Sequence, residues 1–230
     1  MKLSIIIPTL NEAVHISKFL NNLKILCDKQ LATEYELILV DGGSSDQTLK
    51  LAKNCVDKII HSEKGRAIQQ NAGAKHAIGE YLLFLHADSY LSKIFFKEIE
   101  NLNSSSQLVW GRFDVVLSGA HKGLRVIEFM MNLRSRVTGI ATGDQGIFVT
   151  REAFEQLGGF ADLALMEDIE LCARLKKQSP PYNSKLKIIT SSRKWEKNGI
   201  FKTMRLMWWY RLLFYFGVDS KILEKKYYSS

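Results

Sequence analysis

Asp88 ends an apolar run, Glu80-Tyr81-Leu82-Leu83-Phe84-Leu85-His86-Ala87-Asp88, that reads as a buried strand delivering one carboxylate to a sheet edge. The carboxyl edge is where open α/β sheets bind ligands. A carboxylate there, flanked by His86, can hold a hard divalent cation, and the cation can hold a diphosphate. A strand-end Asp also caps turns and helices, so its neighbours must decide between the two readings. Asp41-Gly42-Gly43-Ser44 ends another apolar run. Asp41 could accept hydrogen bonds from a base or ribose, and Gly42 and Gly43 would let a ligand approach the backbone. The same four residues also make a good turn before a helix.

Such side chains need a scaffold that gathers strand ends. Strand candidates are Leu3–Pro8, Tyr35–Val40, Asp57–His61 and Glu80–Leu85, rich in Ile, Leu and Val as strands buried on both faces of a parallel sheet are. Ile16, Phe19, Leu20, Leu23 and Leu26 recur at helical spacing between Glu12 and about Lys29. Thr9-Leu10-Asn11-Glu12 fits a capping box opening that helix, and Ser44-Ser45-Asp46-Gln47 fits one opening the next. A third helix spans about Arg66 to Ile78. The alternation predicts an α/β fold with a doubly wound, mostly parallel sheet. If the first and fourth strands are neighbours where the strand order reverses, Pro8–Glu12 and His86–Asp88 face one another across a crevice.

The second half is predicted to begin near residue 105, at Ser104-Ser105-Ser106, and to be mixed. It offers a strand over Gln107–Leu117, a helix from about Lys122 to Val137, a short strand Gly146–Thr150 and a helix from Arg151. The loop Gly158-Gly159-Phe160, a helix over Glu167–Lys177 and an aromatic helix over Ile200–Val218 follow. The 230 residues read as one domain, 1–105 for a nucleotide, 106–198 for catalysis and an acceptor, and 199–230 as an aromatic helix and tail.

Composition excludes more than it selects. A net charge of +8 admits an anionic partner. No concentrated basic stripe with interleaved aromatics is present, which argues against a nucleic-acid binder. Lys221–Lys226 reads as a solvated tail. Cys27, Cys55 and Cys172 lie far apart without metal spacing, as packed thiols of a reducing, cytoplasmic protein do. The apolar N-terminus is too short for a signal peptide. No G-x-G-x-x-G follows the first strand and no G-x-x-x-x-G-K-[ST] occurs, so hydride-transfer dinucleotide sites and P-loops are excluded. Ile200–Val218 carries Lys202, Arg205 and Arg211, too many charges for a confident membrane span. It suits packing on the domain or a second subunit, or peripheral contact with the inner membrane face.

Taken in order, Ile7–Glu12, Val40–Asp46, Gly65-Arg66-Ala67, Asn71-Ala72-Gly73, Leu85–Asp88 and Met166-Glu167-Asp168 resemble the family 2 glycosyltransferases of GT-A fold. Trp110–Phe113, Thr142–Gln145 and Ser192–Trp195 resemble their small branch called rSAM/selenodomain-associated glycosyltransferases. The resemblance implies transfer of a sugar from a UDP- or GDP-type donor, with inversion. It implies that Pro8, Thr9, Glu12 and Asp41, with Gly43 beside them, hold the nucleoside, and that Gly65, Arg66 and Asn71 line the donor pocket. Asp88 becomes the metal ligand of a D-x-D element whose first Asp is His86, and the metal a divalent cation, Mn²⁺ or Mg²⁺. Glu167-Asp168 matches the family's Glu-Asp pair, with Asp168 the general base; acidic residues in a first helical turn also simply favour the dipole. Arg193 and Trp195 match an element near the diphosphate, and Asp144 and Gln145 would face the acceptor, a lipid phosphate, small metabolite or glycan. The rivals are a sugar-nucleotide pyrophosphorylase, which would want a glycine- and basic-rich first loop, and a catalytically silent nucleotide-sugar-binding module.

Overall fold

The computed structural model describes residues 2–30, 34–91 and 109–229. The described strands are β1 (Leu3–Thr9), β2 (Tyr35–Asp41), β3 (Lys58–His61), β4 (Tyr81–Phe84), β5 (Tyr90–Leu91), β6 (Trp110–Leu117), β7 (Ile147–Thr150) and β8 (Tyr182–Thr190). They form one sheet in the order β3-β2-β1-β4-β7-β6-β8-β5. β1 to β4 run parallel, as expected, and β1 and β4 are neighbours. β7 is antiparallel to both β4 and β6, so the sheet is mixed beyond β4.

The two faces of β1 explain its unbroken apolar run. Ile5 and Ile7 pack with Ile16, Phe19, Leu20 and Leu23 of α1 (Ile16–Gln30). Ile6 faces the other layer, with Ala67 and Ala74 of α3 (Arg66–His76). The α3 contact is close enough to require glycine: a Cβ on Gly73 would lie 2.5 Å from Ile6 Cγ2 and 2.9 Å from Val40 Cγ2. The buried Gln69 amide on α3 donates to the carbonyls of Thr9 (2.9 Å) and Val40 (2.8 Å), pinning the helix to the ends of β1 and β2.

Both expected capping boxes are absent. Thr9 is the last residue of β1, its hydroxyl donating to the Val40 carbonyl, and α1 opens at Ile16. The short α2 (Thr48–Ala52) has Gln47 at its N-cap without a side-chain bond, and Asp46 accepts from the Thr48 amide instead. The remaining helices are α4 (Lys122–Thr138), α5 (Arg151–Gln156), α6 (Glu167–Gln178), α7 (Arg193–Asn198), α8 (Ile200–Tyr215) and α9 (Ser220–Ser229). β8 was unanticipated, because its run Tyr182-Asn183-Ser184-Lys185-Leu186-Lys187-Ile188-Ile189-Thr190 is half charged or polar. The expected solvated tail is α9: Leu223 is fully buried and joins a cluster with Leu165, Met166 and Tyr210. The boundary expected near residue 105 lies outside the described residues, as do positions 107 and 108 of the expected strand. No helix among the described residues is long and apolar enough to cross a membrane.

Glu36, buried on β2, ties several elements together. Its carboxylate accepts from the Ser4 hydroxyl and the Ile78 amide (2.7 Å) and pairs with Lys58 at 2.9 Å. Burial pushes its pKa up, but the Ile78, Ser4 and Lys58 interactions outweigh that and hold it below the usual glutamate value. A depressed folded pKa contributes stability above the unfolded value of 4.5, lost as pH falls through the folded value. Glu36→Ala should therefore cost roughly 2–3 kcal/mol at neutral pH by urea denaturation. The gap to wild type should shrink as pH drops below 4.5; a gap unchanged at acid pH would contradict the ionic role.

Candidate active site

The parallel register aligns Thr9 with Asp41 and Asp41 with His61 at one sheet edge. Beyond β4, the Leu85 amide bonds the Ile6 carbonyl at 3.0 Å, which carries His86–Asp88 along β1. The loops after β1 and β2 are stitched together: Asn11 N donates to Ser44 Oγ, Ser45 N to Asn11 Oδ1, and Glu12 N to Thr48 Oγ1 at 2.8–2.9 Å. Asn11 takes φ 54°, a left-handed conformation that Asn tolerates. The result is a cleft of about 490 Å³ whose walls include Pro8, Thr9, Glu12, Gly65, Arg66, His86 and Asp88. Glu224 and Tyr227 of α9 line it too.

A second group of residues arrives from the opposite strand direction. Because β7 is antiparallel to β4, with Ile147 opposite Phe84, the turn before β7 stands beside His86. That approach leaves no room for a side chain at Gly143, where a Cβ would lie 2.5 Å from His86 Nε2. The Gly143 amide donates to Asp168 Oδ2 at 2.8 Å, and the Ile169 amide to Oδ1 at 2.7 Å. Asp168 lines a small cavity of about 80 Å³ with Arg66, His86, Asp144 and Arg211. Arg66 and His86 are common to the cleft and the cavity.

Carboxylates and cations pair around these spaces. Arg66 Nε lies 3.2 Å from Glu167 Oε1, His86 Nδ1 3.5 Å from Asp144 Oδ1, and Arg193 Nη2 3.8 Å from Asp88 Oδ2. Burial would lower the His86 pKa, but Asp144 outweighs it and the imidazole holds its proton more firmly than usual. Asp144 titrates correspondingly low, since the His86 bond overcomes its own burial. Burial raises Asp88, with the Asp144 charge adding and His86 and Arg193 opposing. Burial also raises Glu167 against the pull of Arg66.

Several expected site residues stand elsewhere. Glu167 is buried and lines neither space; it holds Arg66. Asn71 is spent on the loop after α5, donating to the Phe160 carbonyl and accepting from its amide. Gln145 is fully buried and closes the turn before β7 by accepting from Thr142 N, and it lines neither space. Trp195 lines a different, apolar cavity between α4 and α8. Asp41 lies at the sheet edge but lines neither space: Oδ2 accepts from the Gly43 and Ser44 amides, while Oδ1 is buried without a hydrogen-bond partner among the described residues. Gly43 has open space around it and is required by its φ of 92° rather than by a close approach. Residues missed in the sequence are Arg211, Glu224 and Tyr227, because nothing in the local pattern of α8 or α9 points at a strand edge far away in the chain.

Asp88 is the cleft's metal candidate. No group of three or more His, Cys, Asp or Glu able to hold a metal occurs among the described residues. His86 Nδ1 faces Asp144, and the cleft wall carries Asp88, 30% exposed, with the Glu12 and Glu224 carboxylates, which do not gather into such a group. That donor set does not suit a resident all-protein site. It fits a hard cation brought with a diphosphate, which needs only one or two carboxylates while phosphate oxygens and water fill its shell.

Comparison with known proteins agrees with this geometry. The model of the family described as Glycosyl transferase family 2 matches residues 4–156, more than half the chain. The chain belongs to that family. Over 102 residues it is 34% identical to the Staphylococcus aureus poly(ribitol-phosphate) beta-N-acetylglucosaminyltransferase TarS, covering 40% of this chain and 17% of TarS. Over 95 residues it is 40% identical to a PGL/p-HBAD biosynthesis glycosyltransferase of Mycobacterium tuberculosis, covering 38% of this chain and 36% of that protein. The family 2 chain thus spans well under two thirds of these relatives. Its fold is GT-A, like that of S. aureus TarS 1–349 in complex with UDP (TM-score 0.66, 21% identity, 83% of this chain, 60% of that one). The mannosyltransferase PcManGT from Pyrobaculum calidifontis, in complex with GDP-Man and Mn²⁺, is similar (TM-score 0.61, 19% identity, 81% and 56%).

The Arg66–Glu167 pair can be tested apart from activity. Arg66→Ala leaves a buried carboxylate whose Oε2 already has no partner, and should cost about 3 kcal/mol. Arg66→Ala/Glu167→Gln should recover most of it in urea unfolding; a double variant as unstable as the single one would remove the pair from the account.

Proposed function

We propose that this chain transfers a sugar, with inversion, from a UDP- or GDP-type nucleotide donor to an acceptor, using Asp168 as general base. The observation that carries the reading is the Asp168 carboxylate, held by the Gly143 and Ile169 amides in a cavity that shares Arg66 and His86 with the cleft at the strand ends. A nucleoside fits the strand-end side, where Pro8, Thr9 and Glu12 line the cleft and the buried, unpartnered Asp41 Oδ1 stands at the edge. Arg66 and Arg193 supply cationic hydrogen-bond donors suited to phosphate oxygens. Asp88 would hold a divalent cation accompanying the diphosphate, and that cation would supply charge neutralisation for the leaving group.

The acceptor oxygen attacks the anomeric carbon and its proton passes to Asp168. The new C–O bond forms as the bond to the diphosphate breaks, with the electron pair leaving on the β-phosphate oxygen. Asp168 suits the role because its two amide contacts fix the carboxylate on the cavity wall. Asp144, paired with His86, borders the acceptor side, and Glu167 positions Arg66. Family membership favours transfer over a pyrophosphorylase, and Asp88 with Asp168 favours an active enzyme over a silent module. Trp110–Phe113, Thr142–Gln145 and Ser192–Trp195 support placement in the rSAM/selenodomain-associated branch. The chain is read as one domain acting in the cytoplasm, with α8 facing the inner membrane surface or a second copy.

Thermal-shift titration with UDP, GDP, ADP and CDP, with and without Mn²⁺, tests the donor half. One nucleotide should raise Tm, more so with Mn²⁺, and Asp88→Ala should lose the metal increment; no shift with any nucleotide would refute the donor site. Asp168→Asn should keep the nucleotide shift and lose on the order of 10²–10⁴-fold in nucleotide release from the matching sugar donor. Unchanged release would remove Asp168 from the mechanism.

A further inference from the structure

Outside the donor cleft, a cavity of about 430 Å³ lies between α4 and α8, well within the volumes that small-molecule sites occupy. Its walls are apolar: Met130, Met131, Leu133, Met204 and Trp208. Methionines adapt to irregular apolar ligands. Arg134, Arg211 and Asp144 also line it. Arg211, Asp144 and Met207 line the Asp168 cavity as well, so the two spaces are adjacent and share these side chains.

The charged lining is incomplete by itself. Arg134 Nε and Nη2 are buried and have no hydrogen-bond partner among the described residues, a costly condition for a guanidinium. Burial and then the Arg211 charge push the Arg134 pKa down to about 10, and burial lowers Arg211 against the opposing pull of Asp168 and Asp144. Asp144 and Asp168 offset the Arg211 charge in part, but the two Arg134 groups without a partner among the described residues call for an anionic acceptor.

We infer that the acceptor is an amphiphile: its apolar chain lies between α4 and α8, its anionic head meets Arg134 and Arg211, and a hydroxyl beside the head reaches Asp168. This rests on the transfer reading and names its substrate class. The reaction keeps the same balance: the hydroxyl oxygen bonds the anomeric carbon, its proton goes to Asp168, and the nucleoside diphosphate leaves. Arg134 and Arg211 orient the head without exchanging a proton.

Octyl phosphate, 1-octanol and inorganic phosphate, all below micelle-forming concentrations, separate chain from head. Trp195 and Trp208 line the cavity and report occupancy by fluorescence. Octyl phosphate should bind saturably and at least tenfold more tightly than either other probe. Arg134→Met should erase its margin over octanol. Leu133→Glu, at a half-exposed position whose change spares the fold, should erase its margin over phosphate. Equal binding of octyl phosphate and phosphate, or an unaffected Leu133→Glu, overturns the inference. Uptake onto neutral phosphatidylcholine vesicles without saturable octyl phosphate binding makes this face a membrane contact and also overturns it. A chain that binds nucleotide but not octyl phosphate refutes the acceptor class alone; one that binds octyl phosphate but no nucleotide refutes the transfer reading and the acceptor role with it.

Discussion

Everything chemical in this chain depends on β4 pairing parallel with β1 on one side and antiparallel with β7 on the other. Parallel neighbours deliver their carboxyl ends to one sheet edge, which gathers Thr9, Asp41 and the His86–Asp88 segment. An antiparallel neighbour delivers its amino end to that same edge, and so brings Thr142–Gly146 against His86. Residues far apart in the chain then meet without a long loop. The junction is close enough that Gly143 has no space for a side chain, and its amide is what holds Asp168. Asp168 is therefore positioned by strand direction first and by its own helix second.

That geometry concentrates charge, and the charge is arranged rather than cancelled. Glu167 is buried against Arg66 at hydrogen-bond distance and fixes the arginine between cleft and cavity. Arg193 and Asp88, at 3.8 Å and both partly exposed, form an ion pair too long for a hydrogen bond. A tight pair orients; a loose pair can reorganise around an incoming anion and cation at little cost. The two non-glycine residues with positive φ among those described, Asn11 and Met166, flank the site, one in the β1 loop and one at the start of α6. Local strain of this kind persists where surrounding contacts over-determine it, and it is common at ligand-binding segments.

The parallel half was legible because one physical rule governs it: strands covered on both faces become continuous apolar runs, and their ends become ligand edges. That rule brought Pro8–Glu12 and His86–Asp88 to one edge, where Pro8, Thr9, Glu12 and Asp88 line the cleft; Arg66, which lines it too, was suggested only by the family resemblance. Asn71, Gln145 and Glu167 carried the right residue types, but their side chains are used internally, on the Phe160 backbone, the Thr142 turn and the Arg66 guanidinium. Sequence shows that a polar group is present; it does not show whether a backbone partner has already taken it. The capping boxes failed for a related reason. Thr9 and Ser44 bond across loops, to Val40 and Asn11, and those long-range partners displaced the local ones.

α9 makes the last step of that argument. Lys221, Glu224, Lys225 and Lys226 gave the segment the composition of a solvated tail. Yet Leu223 and Tyr227, at helical spacing, suffice to seat it on Leu165, Met166 and Tyr210. Met166 directly precedes α6, so the surface that anchors α9 is also the one that presents Asp168. Glu224 and Tyr227 thereby reach the donor cleft, although a contact between the chain's end and its first strand has no local signature. One face of two apolar side chains thus couples the last helix to both the donor cleft and the base. The strand-end cleft is bordered by residues from the first strand to the last described helix.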